Sequence, residues 1–353
     1  MSRSHVRAAG RGVTARPART RRGRGRSARW TRFLLGGGLA LVLLAALGLA
    51  GLHWLTHRYD RTVTKQELLD PAARQPRTDL SRALNYLLIG SDHRPGANPE
   101  DQRSDSILIV HVPAGMRQAY LISIPRDLLV TIPPAPGYGG GQDKINAAIE
   151  HGGGGEAGAR LLSTTLSRLT GIRFDGAALL DFSGFKEVID LLGGIRMCVD
   201  TEVRSVHTKT LFTPGCQQMD GARALDYVRQ RYDLPNGDYD RQRHQQQMLR
   251  AVLDKAGQTH LRDDPVKLDR VLRAAGGALT VDTNGVSLDD LLFAFRGLPP
   301  DALHGVQVPS YPQIIDEVSY VVLDNGGGGL FDALRATRVP EWAVANPRWV
   351  NRL

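Results

Sequence analysis

Cysteine is scarce in this sequence, and acidic residues are missing altogether from one end. Only two cysteines, Cys198 and Cys216, occur in 353 residues. Neither lies in a CxxC or other zinc-type spacing, which excludes a cysteine-ligated zinc module and a disulfide-dense secreted scaffold. No segment repeats another, which excludes a solenoid. Residues 1–32 contain no Asp or Glu but hold eleven of the 45 lysines and arginines; the other 34 face 36 acidic residues. The formal charge of +9 therefore belongs to a tail, and the near-neutral body is not expected to bind nucleic acid. The tail is rich in Arg, Gly, Ser and Ala without apolar periodicity. Such a composition cannot bury a core and is expected to be disordered.

The segment after the tail gives it another reading. Residues 33–55 are almost entirely apolar, bracketed by Trp30 and Trp54. A run of roughly twenty apolar residues spans a bilayer core, and tryptophans favour its interfaces. The preceding arginines place the N-terminus in the cytoplasm and everything after about residue 56 outside the membrane. A cleaved signal peptide is the rival, but the run is too long for one and Ala50-Gly51-Leu52-His53 is a poor exit site. Residues 56–80, with Pro71 and Pro76, read as a juxtamembrane stalk, and residues 81–353 as one extracytoplasmic domain.

Within that domain, apolar β-prone runs predict strands at 84–89, 105–112 and 118–124, the last two as a hairpin. Further strands are expected at 176–182, 195–199, 306–309 and 320–323. Helical spacing predicts helices at 156–169, 184–192 (capped by Ser183), 220–227, 244–256, 266–275 and 287–296. Residues 131–143, rich in Pro and Gly, read as a loop, and the Gly152–Gly155 and Gly326–Gly329 clusters as flexible joints. Strands alternating with helices, without a regular βαβ repeat, predict an α/β domain. Its mixed sheet would be covered by helices on both faces. In an extracytoplasmic compartment Cys198 and Cys216 are expected to bridge. The closed loop would contribute roughly 3 kcal/mol in the chain-entropy model; two buried thiols are the alternative.

The segment Tyr227-Val-Arg-Gln-Arg-Tyr232, followed by Asp240-Arg-Gln-Arg-His-Gln-Gln-Gln247, carries the chemistry. Arg229 and Arg231, two apart, share a face if the segment is extended; Arg241 and Gln245, four apart, share a helix face. Asp240 could cap that helix and leave free N–H groups beside Arg241. Three guanidinium groups, an amide and a helix N-terminus suit a phosphate. A solvated basic face, or a strand and helix tied by surface ion pairs, is the competing reading. Charged pairs also punctuate the predicted strands: Asp92 and Arg94, Arg103 and Asp105, Arg126 and Asp127. Ligands of open α/β sheets collect at strand ends. A pyrophosphate with a divalent cation would use both signs of charge. Mg²⁺ is the candidate cation, with Asp92 and Asp105 as its ligands.

In order and spacing, Leu88-Ile-Gly-Ser-Asp92, Arg103-Ser-Asp105, Ile124-Pro-Arg-Asp127, Lys144-Ile-Asn146, Asp181-Phe182, Tyr227-Val-Arg-Gln-Arg231 and Arg241 with Gln245-Gln246 resemble the motif series of the LytR-CpsA-Psr family. The resemblance covers about residues 82–255. It implies a membrane-anchored phosphotransferase that moves a glycopolymer from a polyprenyl-diphosphate carrier onto peptidoglycan through a phosphodiester link. It implies that Arg103, Arg126, Arg229, Arg231, Arg241 and Gln245 hold the diphosphate and that Asp92 and Asp105 hold Mg²⁺. Asp127 and Asp105 are candidate bases, as is His244. One departure stands out: where many members read Arg-x-x-Arg-Gln-Gln, this chain reads Arg241-Gln-Arg-His244-Gln-Gln. The rival functions are a sensor or transcriptional attenuator that binds lipid-linked polymer without turnover, and a polyprenyl-diphosphate pyrophosphatase.

Overall fold

The computed structural model describes residues 64–76, 79–91, 104–259, 265–287, 290 and 298–353. Of Ser91, Asp105, Phe182, Ser183, Pro265, Leu272 and Ala278 it describes the backbone alone. The chain divides into two units, Met1–Leu55 and Thr56–Leu353. The first, with the Arg-rich tail and the apolar run, lies outside the described residues, as does most of the helix expected at 287–296. Among the described residues no helix is long and apolar enough to cross a membrane.

After a short β1 (Thr64–Lys65) come the three strands legible from their apolar runs: β2 (Leu84–Ser91), β3 (Ser104–Val112) and β4 (Ala119–Ile124). The loop expected at 131–143 runs over 133–140, and its two ends belong to a second hairpin, β5 (Leu129–Ile132) and β6 (Gly141–Lys144). Its Pro/Gly-rich stretch is only the connection. Helices α1 (Ala147–His151) and α2 (Gly155–Thr170) follow, then β7 (Gly176–Asp181) and α3 (Phe182–Leu192). Because α3 starts directly at the end of β7, Ser183 is its second residue and not its cap. Next come β8 (Ile195–Val199), β9 (Val203–Arg204), β10 (Leu211–Phe212), β11 (Gly215–Met219), α4 (Gly221–Val228), α5 (Asp238–Gln258) and α6 (Pro265–Ala278). The chain ends through β12 (Leu279–Asp282), β13 (Leu303–Gln307), β14 (Ser310–Ile315), β15 (Val318–Leu323), α7 (Asn325–Arg335), α8 (Val339–Ala345) and β16 (Val350–Asn351). Gly326–Gly329, expected as a joint, is the first turn of α7. The Asp324 carboxylate caps it by accepting from the Gly326 and Gly327 N–H groups at 2.7 and 3.1 Å. Leu330, Phe331 and Leu334 then bury the helix's apolar face. A good cap and that buried face outweigh the low helix propensity of glycine.

Eight strands form one mixed sheet in the order β1-β12-β7-β2-β3-β4-β13-β16. β2, β4, β7 and β13 are mutually parallel, and β3 runs against β2 and β4. The pleat sends alternate residues to opposite faces. Leu87, Ile89, Ile107, Ile109, Ile122 and Ile124 point to one face, where α1, α2 and α7 close a continuous core. Leu88, Val110, Leu121 and Ala178 point to the other, beneath α5 and Phe185 of α3. β8 and β11 form a separate hairpin in which Cys198 and Cys216 are direct register partners and are disulfide-bonded, as expected.

Candidate functional site

The topology puts the carboxyl ends of β2, β4, β7 and β13 on one edge of the sheet, together with the start of β3. Of the charged residues singled out at strand ends, Arg126, Asp127 and the backbone of Asp105 belong to that edge. Ser91 pairs with Ser104 on one side and with Asp181 on the other. Gly90 pairs with Ser106 and Ser91 with Ser104, so Asp105 is the extra residue of a β-bulge. A bulge releases a residue from the ladder and re-aims it, a device common beside active sites. Asp92, Arg94 and Arg103 lie outside the described residues, between these two strand ends.

Past the end of β4, Arg126 and Asp127 sit in a tight turn whose backbone is held by Leu128 N–H to Pro125 O and Asn146 N–H to Arg126 O. α5 lies over the open face with its N-terminus at the same edge. The helix does not start at Asp240 as expected but at Asp238, after Gly237 with φ +53°. Asp240, in the first turn, instead accepts back from the Asn236 N–H at 2.8 Å and so closes the entry turn. Its neighbour Asp238 sits between two cations: Arg241 Nη2 at 2.6 Å and Arg126 Nε at 3.9 Å. Arg126 Nε is also 3.6 Å from Asp127, whose other oxygen is 3.0 Å from Lys144 Nζ. Arg241, Asp238, Arg126, Asp127 and Lys144 thus form a chain of alternating charges across the edge, with cations in excess. Asp238 was missed from the sequence. Its position three residues before Arg241, one turn away on the same face, was the available signal.

Gln245, one turn after Arg241, is 6% exposed and borders a narrow cleft with Gly90 and Ser106. Arg229 and Arg231 are not on a strand. Arg229 is the half-buried residue that caps the C-terminus of α4 in a helical conformation, and the Arg231 guanidinium stacks 4.7 Å from the Tyr232 ring centre and donates to its hydroxyl. The two therefore do not share a pleated face, although their loop leads directly into α5. The structure brings Arg126, Asp127, Arg241 and Gln245 to one edge.

The departure at Arg243 and His244 is structural. His244 is wholly buried. Its Nε2 lies 3.0 Å from the Tyr227 hydroxyl and 3.2 Å from Asp200 Oδ1, and its ring stacks on Tyr227 at 4.4 Å. No substrate hydroxyl can reach it, so it is not the general base. Arg243 pairs with both Asp200 and Asp240. The hydrogen bond from His244, with Arg243 adding, holds the Asp200 carboxyl down at about 2. Burial, with Asp200 adding, pushes the Tyr227 hydroxyl well above its usual range. These contacts tie the head of α5 to β8 and α4. Gln246 ties it to the sheet: its amide N–H groups donate to Leu121 O, Ser123 Oγ and Val306 O at 2.9, 2.8 and 3.1 Å. A Cβ at position 305 would collide with the Gln246 side-chain oxygen, so only glycine lets this peg approach β13.

Down the open face from Gln245 runs an apolar cavity of about 780 Å³. Leu88, Val110, Leu121 and Ala178 form its floor, and Phe185, Leu249, Val252 and Leu253 its walls. Leu88 and Leu249 also border the cleft that holds Gln245, so the cavity and that cleft adjoin beneath α5. Leu253 remains 50% exposed.

Comparison with known proteins identifies the family and the fold. The model of the LytR_cpsA_psr family matches residues 55–327. Probable cell wall biosynthesis protein LcpB of Corynebacterium glutamicum is 34% identical over 209 residues, 56% of this chain and 48% of LcpB. The polyisoprenyl-teichoic acid–peptidoglycan teichoic acid transferase TagU of Enterococcus faecalis is 32% identical over 221 residues, 62% of this chain and 69% of TagU. The match thus spans about half of the first relative and two thirds of the second. Among solved structures, TagT bound to LI-WTA superposes with a TM-score of 0.58 at 25% identity, covering 80% of this chain and 98% of that one. Bacillus subtilis TagV, also at 0.58 but 24% identical, covers 74% and 97% and shares the fold. The chain belongs to the LytR-CpsA-Psr family.

Proposed function

We propose that the protein is a membrane-anchored phosphotransferase that moves a glycopolymer from a polyprenyl-diphosphate carrier onto peptidoglycan and leaves a phosphodiester link. The observation that carries this is that one helix, α5, covers an apolar cavity and carries its head at a cationic sheet edge. An amphiphile with a long hydrocarbon tail and a doubly charged head matches both halves at once. The tail would lie over Leu88, Leu121 and Leu253, and the diphosphate would meet Arg126, Arg241 and Gln245, joined by Arg103, Arg229 and Arg231. Residues 33–55 would anchor the domain outside the membrane, with residues 1–32 in the cytoplasm.

In this mechanism a glycan hydroxyl attacks the phosphorus bonded to the polymer. The new O–P bond forms as the bond to the bridging oxygen breaks, and polyprenyl phosphate leaves. Charge spreads over the phosphoryl oxygens, so positioning and neutralisation dominate catalysis. Arg126 and Arg241 are held in place by Asp238 before substrate arrives, which removes reorganisation from the reacting step. Asp127, oriented by Lys144, is the candidate acceptor of the hydroxyl proton. Asp92 and Asp105 would hold Mg²⁺. The backbone of Asp105, in its bulge, and Asp181 belong to this edge, and carboxylates with phosphates suit a hard cation. Such an ion would neutralise charge on the diphosphate.

The test is transfer of radiolabelled polymer from lipid carrier to glycan by the purified full chain, with Arg126→Ala and Arg241→Ala as controls. Tight donor binding without transfer would mean a sensor. Release of polymer phosphate to water alone would mean a pyrophosphatase.

A further inference from the structure

A second cavity, of about 520 Å³, lies between the disulfide-linked β8–β11 hairpin and the outer side of α5. The charge chain at the sheet edge contributes nothing to its lining. Arg196, Lys255 and Arg352 line it, and none of the three has a side-chain partner among the described residues. Arg250 also lines it but is occupied by Asp254 at 3.9 Å and by the Leu353 carbonyl. The amides of Gln247 and Gln258 complete the polar wall, and Gln247 Oε1 is buried without a hydrogen-bond partner among the described residues. Met197 and Ala251 supply an apolar floor.

Arg196, Lys255 and Arg352, with Arg250, give the cavity an excess of positive charge over its one lining aspartate, Asp254. A ligand that supplied an anion would relieve that charge, and its hydroxyls would meet the lining amides of Gln218 and Gln258. Guanidinium groups recognise carboxylate and phosphate, amides recognise hydroxyls, and an apolar floor suits the C–H face of a pyranose. We infer that this cavity binds an acidic saccharide: a sugar unit bearing a carboxylate or a phosphate.

The inference rests on the transferase reading only for its biological source. A carboxylate sugar would come from the acceptor glycan and a phosphate sugar from the transferred polymer. In either case the cavity would hold a polymer at a second point, away from the reacting phosphorus. The Cys198–Cys216 bridge lines the same cavity and pins one of its walls.

The experiment is calorimetric or NMR titration of the detergent-solubilised full chain with three probes: N-acetylmuramic acid, N-acetylglucosamine 1-phosphate and neutral N-acetylglucosamine. At least one acid is expected to bind about tenfold more tightly than the neutral sugar, and the tighter acid identifies the source. The double variant Arg196→Gln/Lys255→Gln is expected to lose that preference. Arg241→Ala is expected to keep it, even where transfer is lost, which separates this site from the sheet edge. Equal binding of all three probes, or an acid preference that survives in the double variant, would overturn the inference. A transfer assay that fails while the acid preference stands would count against the transferase reading alone.

Discussion

The two faces of the central sheet are built from the same residue types and do opposite things. On β3, Ile107 and Ile109 point to the closed face and are at most 1% exposed, sealed under α1, α2 and α7. Leu108 and Val110 alternate with them and point to the open face, where α5 spans a cavity without filling it. A closed face stabilises the fold by packing density. An open one forgoes part of that stabilisation and keeps apolar surface available. The helix covering the open face is correspondingly unusual. Its N-terminal half buries polar residues, including Arg241, Gln245 and Gln246, whereas its C-terminal half leaves Leu253 half exposed. It is held by polar pegs and not by a dry core, which lets an apolar space persist beneath it.

The largest effect should come from the head of that helix. Arg241→Ala is expected to lower transfer by about 10²–10³-fold, the scale of removing one oxyanion-stabilising donor, with little change in the thermal midpoint. Arg241→Lys should recover only part of it, since a point charge cannot reproduce a bidentate fork. Wild-type transfer by Arg241→Ala, measured with lipid-linked donor, would remove the charged edge from the chemistry.

The faces themselves can then be set against each other on one strand. Ile109→Ala is expected to destabilise by about 2–5 kcal/mol, through lost burial and the cavity left behind. Val110→Ala is expected to lose less than about 1.5 kcal/mol, because its side chain already borders open space. Chemical denaturation measures both. Equal losses would mean that the open face is packed in solution.

This contrast also explains what the sequence could and could not convey. Leu84-Asn-Tyr-Leu-Leu-Ile89 is apolar apart from Asn85 and shows no regular polar alternation. It correctly announces a strand covered on both sides, but it cannot say which cover fits tightly. Arg126-Asp127 at a strand end and Arg241 with Gln245 on one helix face were legible because spacing alone decides them. The β5–β6 hairpin was hidden by the Pro/Gly-rich connection between its strands, and α7 by the glycines that its Asp324 cap tolerates. Asp200 was not legible as an anchor, and for Asp238 the spacing signals only its pair with Arg241. Each acts on residues brought to it by the fold: Asp238 on Arg126, and Asp200 on Arg243 and His244.

Acid should probe the packed side of the molecule. His111, on β3, is wholly buried, with Nδ1 2.8 Å from Asn85 Oδ1. Burial lowers its pKa to about 4. The unfolded chain, with an ordinary histidine near 6.5, binds the extra proton first as pH falls. Stability should therefore be full above about pH 6.5 and decline towards pH 4, by up to about 3 kcal/mol. His111→Asn should flatten that part of the pH profile of the unfolding free energy. An unchanged slope would assign the acid sensitivity elsewhere.

The smallest effect tests the open end of the cavity. Leu253→Asp places a charge at the half-exposed mouth, where water is available, so folding should change by less than about 1 kcal/mol. Donor with a long hydrocarbon chain should nevertheless lose about tenfold in kcat/KM, whereas a water-soluble short-chain donor should lose almost nothing. Such a split separates a cavity that serves the tail from one that is merely a packing defect. If both donors slow together, the charge acts on the head of the helix instead, and the open face loses its claim to the lipid.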